Sequence, residues 1–338
     1  MAGSGSGDYG KYITGKDKEA LMSEEIFTDI FASVPQQSVF MRLARKLPNM
    51  NKRVERLRVL DLLPDVSFVG EKGGADTTFS AIKKTSKLAW ANKYIVPGEL
   101  AVIVPVPEAA VDDEDYDLWT ECKPAITEAI GQQIDLATMF GTAGVNVPVT
   151  WPNGIVTGAP AHHLIPLGSI GDLYADLLEP GGVWSQVEND GYLVNGAAGY
   201  ITMKALLRAC RDTATGEPIF QGDPSQKMGY TVDGVPFLFS LNGGWDPSAA
   251  LLIAGDWNQA VYAIRKDVTF KILDQAVLTD ENYQITHNLA QEDMIALRIT
   301  FRFGWQLPNP VNRMEGDDSL RYPFGILVSA GSGSGGPP

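Results

Sequence analysis

The chain has 338 residues, 44% of them hydrophobic and 20% charged, with 27 Lys and Arg against 41 Asp and Glu for a net charge of −14. That apolar share is enough for one large core or two medium ones, which excludes a disordered or fibrous chain, and the negative balance argues against tight binding to nucleic acid over a broad basic surface. Gly (35) and Pro (21) make up about a sixth of the residues, which predicts many turns and extended connections and not a helical bundle.

No apolar run approaches the ~18–20 residues of a spanning helix, and the longest, Leu100 to Val111, is broken by Pro105 and Pro107, so no membrane span is expected. Residues 1–7 carry neither a basic flank nor an apolar core, and no secretory signal is expected. Cys122 and Cys210 are expected to be buried thiols, not a disulfide or a metal pair. Residues 1–10 and 331–338 are Gly/Ser-rich and are expected to be mobile, since they bury too little surface to offset their ordering entropy.

In chain order, an amphipathic piece (Ile26, Phe27, Ile30, Phe31, Val34) ends at Pro35, and Arg42, Arg45, Lys46, Lys52, Arg53, Arg56 and Arg58 follow against a single acid, Glu55. Residues 20–63 therefore read as an arm with few core-forming residues. Its charge suits either a solvated face or docking on an acidic neighbour, for which Glu108, Asp112, Asp113, Glu114, Asp115 and Asp117 offer a counterpart. Val66 to Val69 and Leu100 to Val104 look like two strands around some thirty polar residues that include Lys83, Lys84 and Lys87, a long excursion of a kind that is usually functional or held by a partner. A long helix then runs from an acidic first turn at Asp112–Asp115 through Leu118, Cys122, Ile126, Ile130, Ile134 and Ala137 to Gly141, with Pro124 expected to kink it or mark its start. Helices are predicted over 171–189 and 203–213, and strands over 230–240 and 249–254. Ile295, Leu297, Ile299, Phe301, Phe303 and Trp305 alternate with Ala296, Arg298, Thr300, Arg302 and Gly304, which predicts a strand with one buried and one polar face. Val268, Phe270 and Ile272 repeat the pattern, in one antiparallel sheet against the long helix.

No catalytic constellation emerges: the chain lacks a phosphate loop, Gly-x-Ser-x-Gly, His-Glu-x-x-His and Cys-x-x-Cys. His162 and His163 could ligate a metal, but neighbours on a strand point apart and no third ligand can be named, so a surface or turn role is expected and neither a metal nor a cofactor. Asp256-Trp257-Asn258 reads as a satisfied turn at a strand entrance.

The order of parts resembles the major capsid proteins of tailed bacteriophages, whose fold is shared with encapsulin shells. The matching residues are Leu60-Asp61-Leu62-Leu63-Pro64-Asp65-Val66-Ser67-Phe68-Val69, Trp90-Ala91-Asn92, Glu99 through Glu108, Asp115-Tyr116-Asp117-Leu118-Trp119, Ile134-Asp135-Leu136-Ala137 with Gly141, Ile253-Ala254-Gly255-Asp256-Trp257, Val268-Thr269-Phe270 and Met294 through Trp305. The likeness covers residues ~20–325. It implies an α+β capsid fold: a flexible N-terminus (1–19), an N-terminal arm (20–63), an extended E-loop hairpin (64–107), a P-domain spine helix (108–154), an A-domain (155–260), P-domain strands (261–325) and a flexible C-terminal tail (326–338).

The resemblance further implies a non-enzymatic protein that self-assembles as hexamers and pentamers into an icosahedral shell around double-stranded DNA, without sequence-specific binding. The location implied is the virion, after assembly in the host bacterial cytoplasm, and the partners a portal, a separate scaffold protein and decoration proteins. Arm and E-loop would lie on neighbouring subunits, which makes Arg42, Arg45, Arg53, Arg56, Lys83, Lys84, Lys87, Asp113 and Asp115 the expected inter-subunit contacts. Some family members join an E-loop lysine to a neighbour's asparagine. Lys83, Lys84 or Lys87 with Asn309 or Asn312, and Glu315 as proton acceptor, would serve, but the expectation here is a non-covalent shell. The alternatives are an encapsulin-like nanocompartment shell and, from another class, a metal enzyme using His162 and His163.

Overall fold

The computed structural model describes residues 37–66, 83, 85–108, 118–211, 217, 219–220, 230–279 and 282–330, with backbone alone for 118–122 and 266–270. The chain divides into two compact units, whose described residues are 37 and those within 99–130 and 266–302 for one, and those within 38–98, 131–265 and 303–330 for the other.

The second unit begins with helix α1 (Val39–Leu43), whose N-cap Ser38 accepts from the Met41 N–H. This helix is short, and a buried carboxylate holds it: Asp135 accepts from Ser38 Oγ at 2.6 Å, Phe40 N at 3.0 Å and Val39 N at 3.1 Å, and from Asn242 Nδ2 at 2.7 Å. The first N–H groups of a helix have no internal acceptor, and here a side chain nearly a hundred residues away supplies one. Phe40 then sits at no exposure edge-on to Trp257, Phe303 and Trp305, with ring centroids 6.4, 6.3 and 5.6 Å away. The expected arm is therefore not short of core residues over its described part: Val39, Phe40, Met41 and Met50 are all buried.

After α1, strand β1 (Arg45–Lys46) pairs in parallel with the start of β10 (Val261–Leu273). Strands β2 (Glu55–Leu62) and β3 (Ala89–Ile95) form an antiparallel two-stranded ribbon. Ahead of the excursion the described strand is β2, where Leu57 and Val59 alternate with Arg56 and Arg58; of the strand expected at 66–69, Val66 lies outside any strand and is 93% exposed, and 67–69 fall outside the described residues. β4 (Gly98–Pro107) and β13 (Met294–Gln306) complete a sheet in the order β1-β10-β13-β4.

Helix α2 (Leu118–Met139) carries Pro124 inside it, so the proline does not mark the helix start. Its final carbonyls are not left bare. Ile155 N donates to Thr138 O at 2.9 Å, Val156 N to Met139 O at 2.8 Å and Thr157 Oγ1 to Phe140 O at 3.1 Å.

A six-stranded sheet runs in the order β5-β14-β9-β6-β8-β7, from β5 (Leu164–Pro166), β6 (Gly196–Tyr200), β7 (Tyr230–Val232), β8 (Val235–Ser240), β9 (Leu252–Gly255) and β14 (Phe324–Val328). The expected strand at 230–240 is a β7–β8 hairpin turned at Asp233-Gly234, both with positive φ (50° and 74°), as a tight Asp-Gly turn demands. The predicted helix at 171–189 is two, α3 (Leu173–Leu178) and α4 (Val183–Asn189), because Pro180-Gly181-Gly182 breaks it, with Gly181 at φ 92°. Helix α5 (Met203–Ala209) is shorter than the predicted 203–213.

β14 corrects the expected C-terminal tail. Its five residues are all buried, it pairs in parallel with β5 and antiparallel with β9, and Gly255 admits the chain there, since a Cβ would lie 2.2 Å from Pro323 O. Leu177, Val183, Trp184, Met203, Leu207, Phe237 and Leu327 belong to the core packed on this sheet.

The first unit holds the remainder of β4, β10 and β13, the start of α2, and an antiparallel hairpin of β11 (Val277–Thr279) and β12 (Ile285–Asn288). Within it Glu99 pairs with Arg302 at 2.9 Å and His287 with Glu292 at 2.7 Å. β13 departs from strict alternation: Ala296 and Thr300 are as buried as Ile295 and Ile299, and only every fourth residue is part-exposed. It is an inner strand between β10 and β4, and its part-exposed positions, Arg298 and Arg302 among them, all lie on the expected polar face, which is narrowed and not lost.

Candidate interaction surface

The β2–β3 ribbon has one face turned to the core and one left open. Alternation along each strand puts Leu57 and Ile95 on the first side, in a cluster with Met50, Val261 and Ala263. On the other, the register pairs Arg56 with Tyr94, Arg58 with Asn92 and Leu60 with Trp90. Arg56, Arg58, Trp90 and Asn92 line an open groove of about 300 Å³, and Trp90 and Tyr94 are 59% and 50% exposed. Large aromatic rings held this far in water, beside arginines, are the composition of interface centres and not of ordinary surface.

The ribbon is tied from its flank. Gln306 Nε2 donates to Tyr94 O at 3.0 Å, Lys93 Nζ to Leu307 O at 3.3 Å, Val311 N to Leu60 O at 3.0 Å and Arg313 Nη2 to Pro64 O at 2.5 Å. Burial pushes the Lys93 ammonium below its usual range, with Asp318 opposing.

Of the expected contact residues, Arg42 lies exposed on α1, Arg45 on β1, Arg53 in the bend before β2 and Arg56 in the groove, while Lys83 and Lys87 are exposed and outside any strand or helix. Lys84, Asp113 and Asp115 lie outside the described residues; among the described contacts, Arg56 is the one that lines a groove. Arg58, Trp90, Asn92 and Tyr94 were not singled out from sequence as contacts. Their signal was the alternation Trp-Ala-Asn-Lys-Tyr-Ile facing Glu-Arg-Leu-Arg-Val-Leu. The candidate crosslink acceptors are occupied within the subunit: Asn309 Nδ2 donates to Arg321 O and its Oδ1 accepts from Tyr192 OH, and Asn312 Nδ2 donates to Asp190 O at 2.6 Å.

His162 and His163 do not diverge on a strand. They sit on a 3-10 turn (Ala161–His163) with ring centroids 4.5 Å apart, and a third potential ligand, Asp190, meets His163 Nε2 at 2.9 Å. Asp256-Trp257-Asn258 is a turn as expected, at a strand exit: Asp256 Oδ1 accepts from Asn258 N, and Trp257 Nε1 donates to Gly196 O.

The sequence pattern of the Phage capsid family matches residues 19–311. Among solved structures, one from Microbacterium phage Oxtober96 is 29% identical over 94% of this chain and 100% of its own, with a TM-score of 0.71. One from Mycobacterium phage Adephagia is 28% identical over 97% and 100%, with a TM-score of 0.70. The capsid of a native GTA particle shares the fold at 15% identity, 86% and 89% coverage and a TM-score of 0.58. No curated protein matches. The chain belongs to the phage capsid family: it is a major capsid protein, a structural subunit of a bacteriophage virion that associates with its own copies.

Proposed function

We propose that the chain assembles as hexamers and pentamers into an icosahedral shell enclosing double-stranded DNA, acting as a non-enzymatic subunit with a portal, a scaffold and decoration proteins as partners. Assembly takes place in the host cytoplasm. In this reading the β2–β3 ribbon carries the E-loop, α2 with β10 and β13 forms the P-domain, and the six-stranded sheet is the centre of the A-domain. The observation that carries it is the open Arg56–Arg58–Trp90–Tyr94 face, whose exposed rings are of the kind a neighbouring subunit covers. Arg42, Arg45, Arg53, Lys83, Lys84 and Lys87 add positive charge for contacts between copies, and Asp113 and Asp115 lie in the acidic run that can receive it. A net charge of −14 suits a wall along which DNA must slide without adhering.

Negative-stain images with a nucleic-acid assay of particles purified from infected cells test the reading. Closed shells containing DNA support it. Closed shells holding protein cargo and no nucleic acid would assign an encapsulin-like compartment instead, and a stable monomer at high concentration would overturn both.

A further inference from the structure

The turn at Ala161–His163 and the end of α4 place three metal-binding side chains together, away from the ribbon face. One ligand atom from each of His162, His163 and Asp190 lies within 4.8 Å of the other two. We propose that these residues form a site for one divalent transition-metal ion of the zinc class.

Two nitrogens and a carboxylate oxygen are the donors zinc takes, at about 2.0–2.2 Å, leaving a fourth position for water. The His163–Asp190 half is already built. His163 is fully buried, and its N–H donates to Pro160 O at 3.0 Å to close the turn. Asp190 is held three ways: its Oδ2 also accepts from Tyr322 N, its carbonyl accepts from Asn312 Nδ2, and its N–H caps α4. Ligands oriented in this manner before the ion arrives are what an outer shell of hydrogen bonds supplies. His162 is exposed and is the member that can rotate to close the distance, on the side open to solvent.

Neither neutral form of the His163 ring is fully matched to its surroundings. A neutral imidazole carries one N–H and one lone pair. With the proton on Nε2, the ring donates to Asp190 and leaves the lone pair of the buried Nδ1 unused, for Nδ1 makes no hydrogen bond. With the proton on Nδ1, the Nε2 lone pair faces carboxylate lone pairs at 2.9 Å. A cation between Nε2 and the carboxylate removes that repulsion, and the ring proton then sits on Nδ1. The ion would fasten the 161–163 turn to the end of α4 and, through Tyr322, to the segment entering β14.

The test uses the full chain stripped with a chelator, titrated calorimetrically with Zn²⁺ and followed by visible absorption with Co²⁺. One ion per chain is expected. His162→Gln, an exposed change that leaves the core intact, should weaken binding ~10-fold or more, while His287→Gln at the other histidine should not. Zn²⁺ should raise the thermal midpoint of the parent and not of His162→Gln. No saturable binding, equal binding by His162→Gln, or loss with His287→Gln would each overturn the site and leave an adventitious ion only.

Discussion

Asp135 binds the entering chain to α2 with four accepted hydrogen bonds and almost no water, and its acidity follows from that placement. Burial pushes its carboxyl up to about 6, against the downward pull of Ser38, Asn242 and the N–H groups of Phe40 and Val39. The folded value lies above the ordinary 3.8, so between the two the folded chain keeps a proton that the unfolded chain has released. The stability from this group is complete below pH ~4 and is lost as pH rises through ~6, by about 3 kcal/mol. Urea midpoints near pH ~5 and ~7.5 should therefore differ in this direction, and Asp135→Asn should flatten the difference while lowering both midpoints through its lost acceptors. An unchanged difference in the variant would refute the assignment. Phe40 is the second test at this scale. Phe40→Ala empties the space among Trp257, Phe303 and Trp305 and should cost about 3–5 kcal/mol in chemical denaturation; a loss below ~1 kcal/mol would mean the aromatic cluster closes without it.

At the scale of elements, the ribbon separates folding from association. Its inner face is seated on Met50, Val261 and Ala263, whereas Arg56, Arg58, Trp90 and Tyr94 make up an outer face. Arg56→Glu with Arg58→Glu should leave circular dichroism and the thermal midpoint of the unassembled chain unchanged but reduce assembly, measured by sedimentation, with a loss that depends on salt, since exposed charges are screened beyond ~8 Å at physiological ionic strength. Trp90→Ala should reduce assembly with little salt dependence, because burial of apolar area carries that contact. Normal assembly by both variants would remove this face from the interface.

For the whole molecule, the question is whether neighbours are joined by bonds or by surfaces. Asn309 is buried and both its amide atoms are engaged, and Asn312 holds Asp190, Met314 and Glu315 of its own chain. Freeing either amide for attack by a lysine would dismantle the loop ahead of β14. Boiled, reduced particles on a denaturing gel should run as one band at the 36.6 kDa chain mass; a ladder of multimers would show covalent joining.

The long helix and the strands expected around 267–272 and 295–305 were legible in the sequence because their apolar residues recur at the period of the element they form. The Phage capsid family match agrees with the family resemblance of the sequence. What local spacing could not decide was everything set by distant residues. Whether Phe40 belongs to a solvated arm or to a core depends on Asp135 and Trp257. Whether Ile326–Val328 is tail or inner strand depends on β5 and β9 standing on either side of it. β13 keeps its polar face only at Arg298 and Arg302, because Ala296, Thr300 and Gly304 between them are buried. His162, His163 and Asp190 meet because a turn replaces the strand and a helix end arrives 27 residues later. The physical reason is common to these cases: periodicity reports which face of an element is apolar, whereas burial of a polar or isolated residue is decided by the partner that satisfies it, and only the tertiary structure brings that partner near.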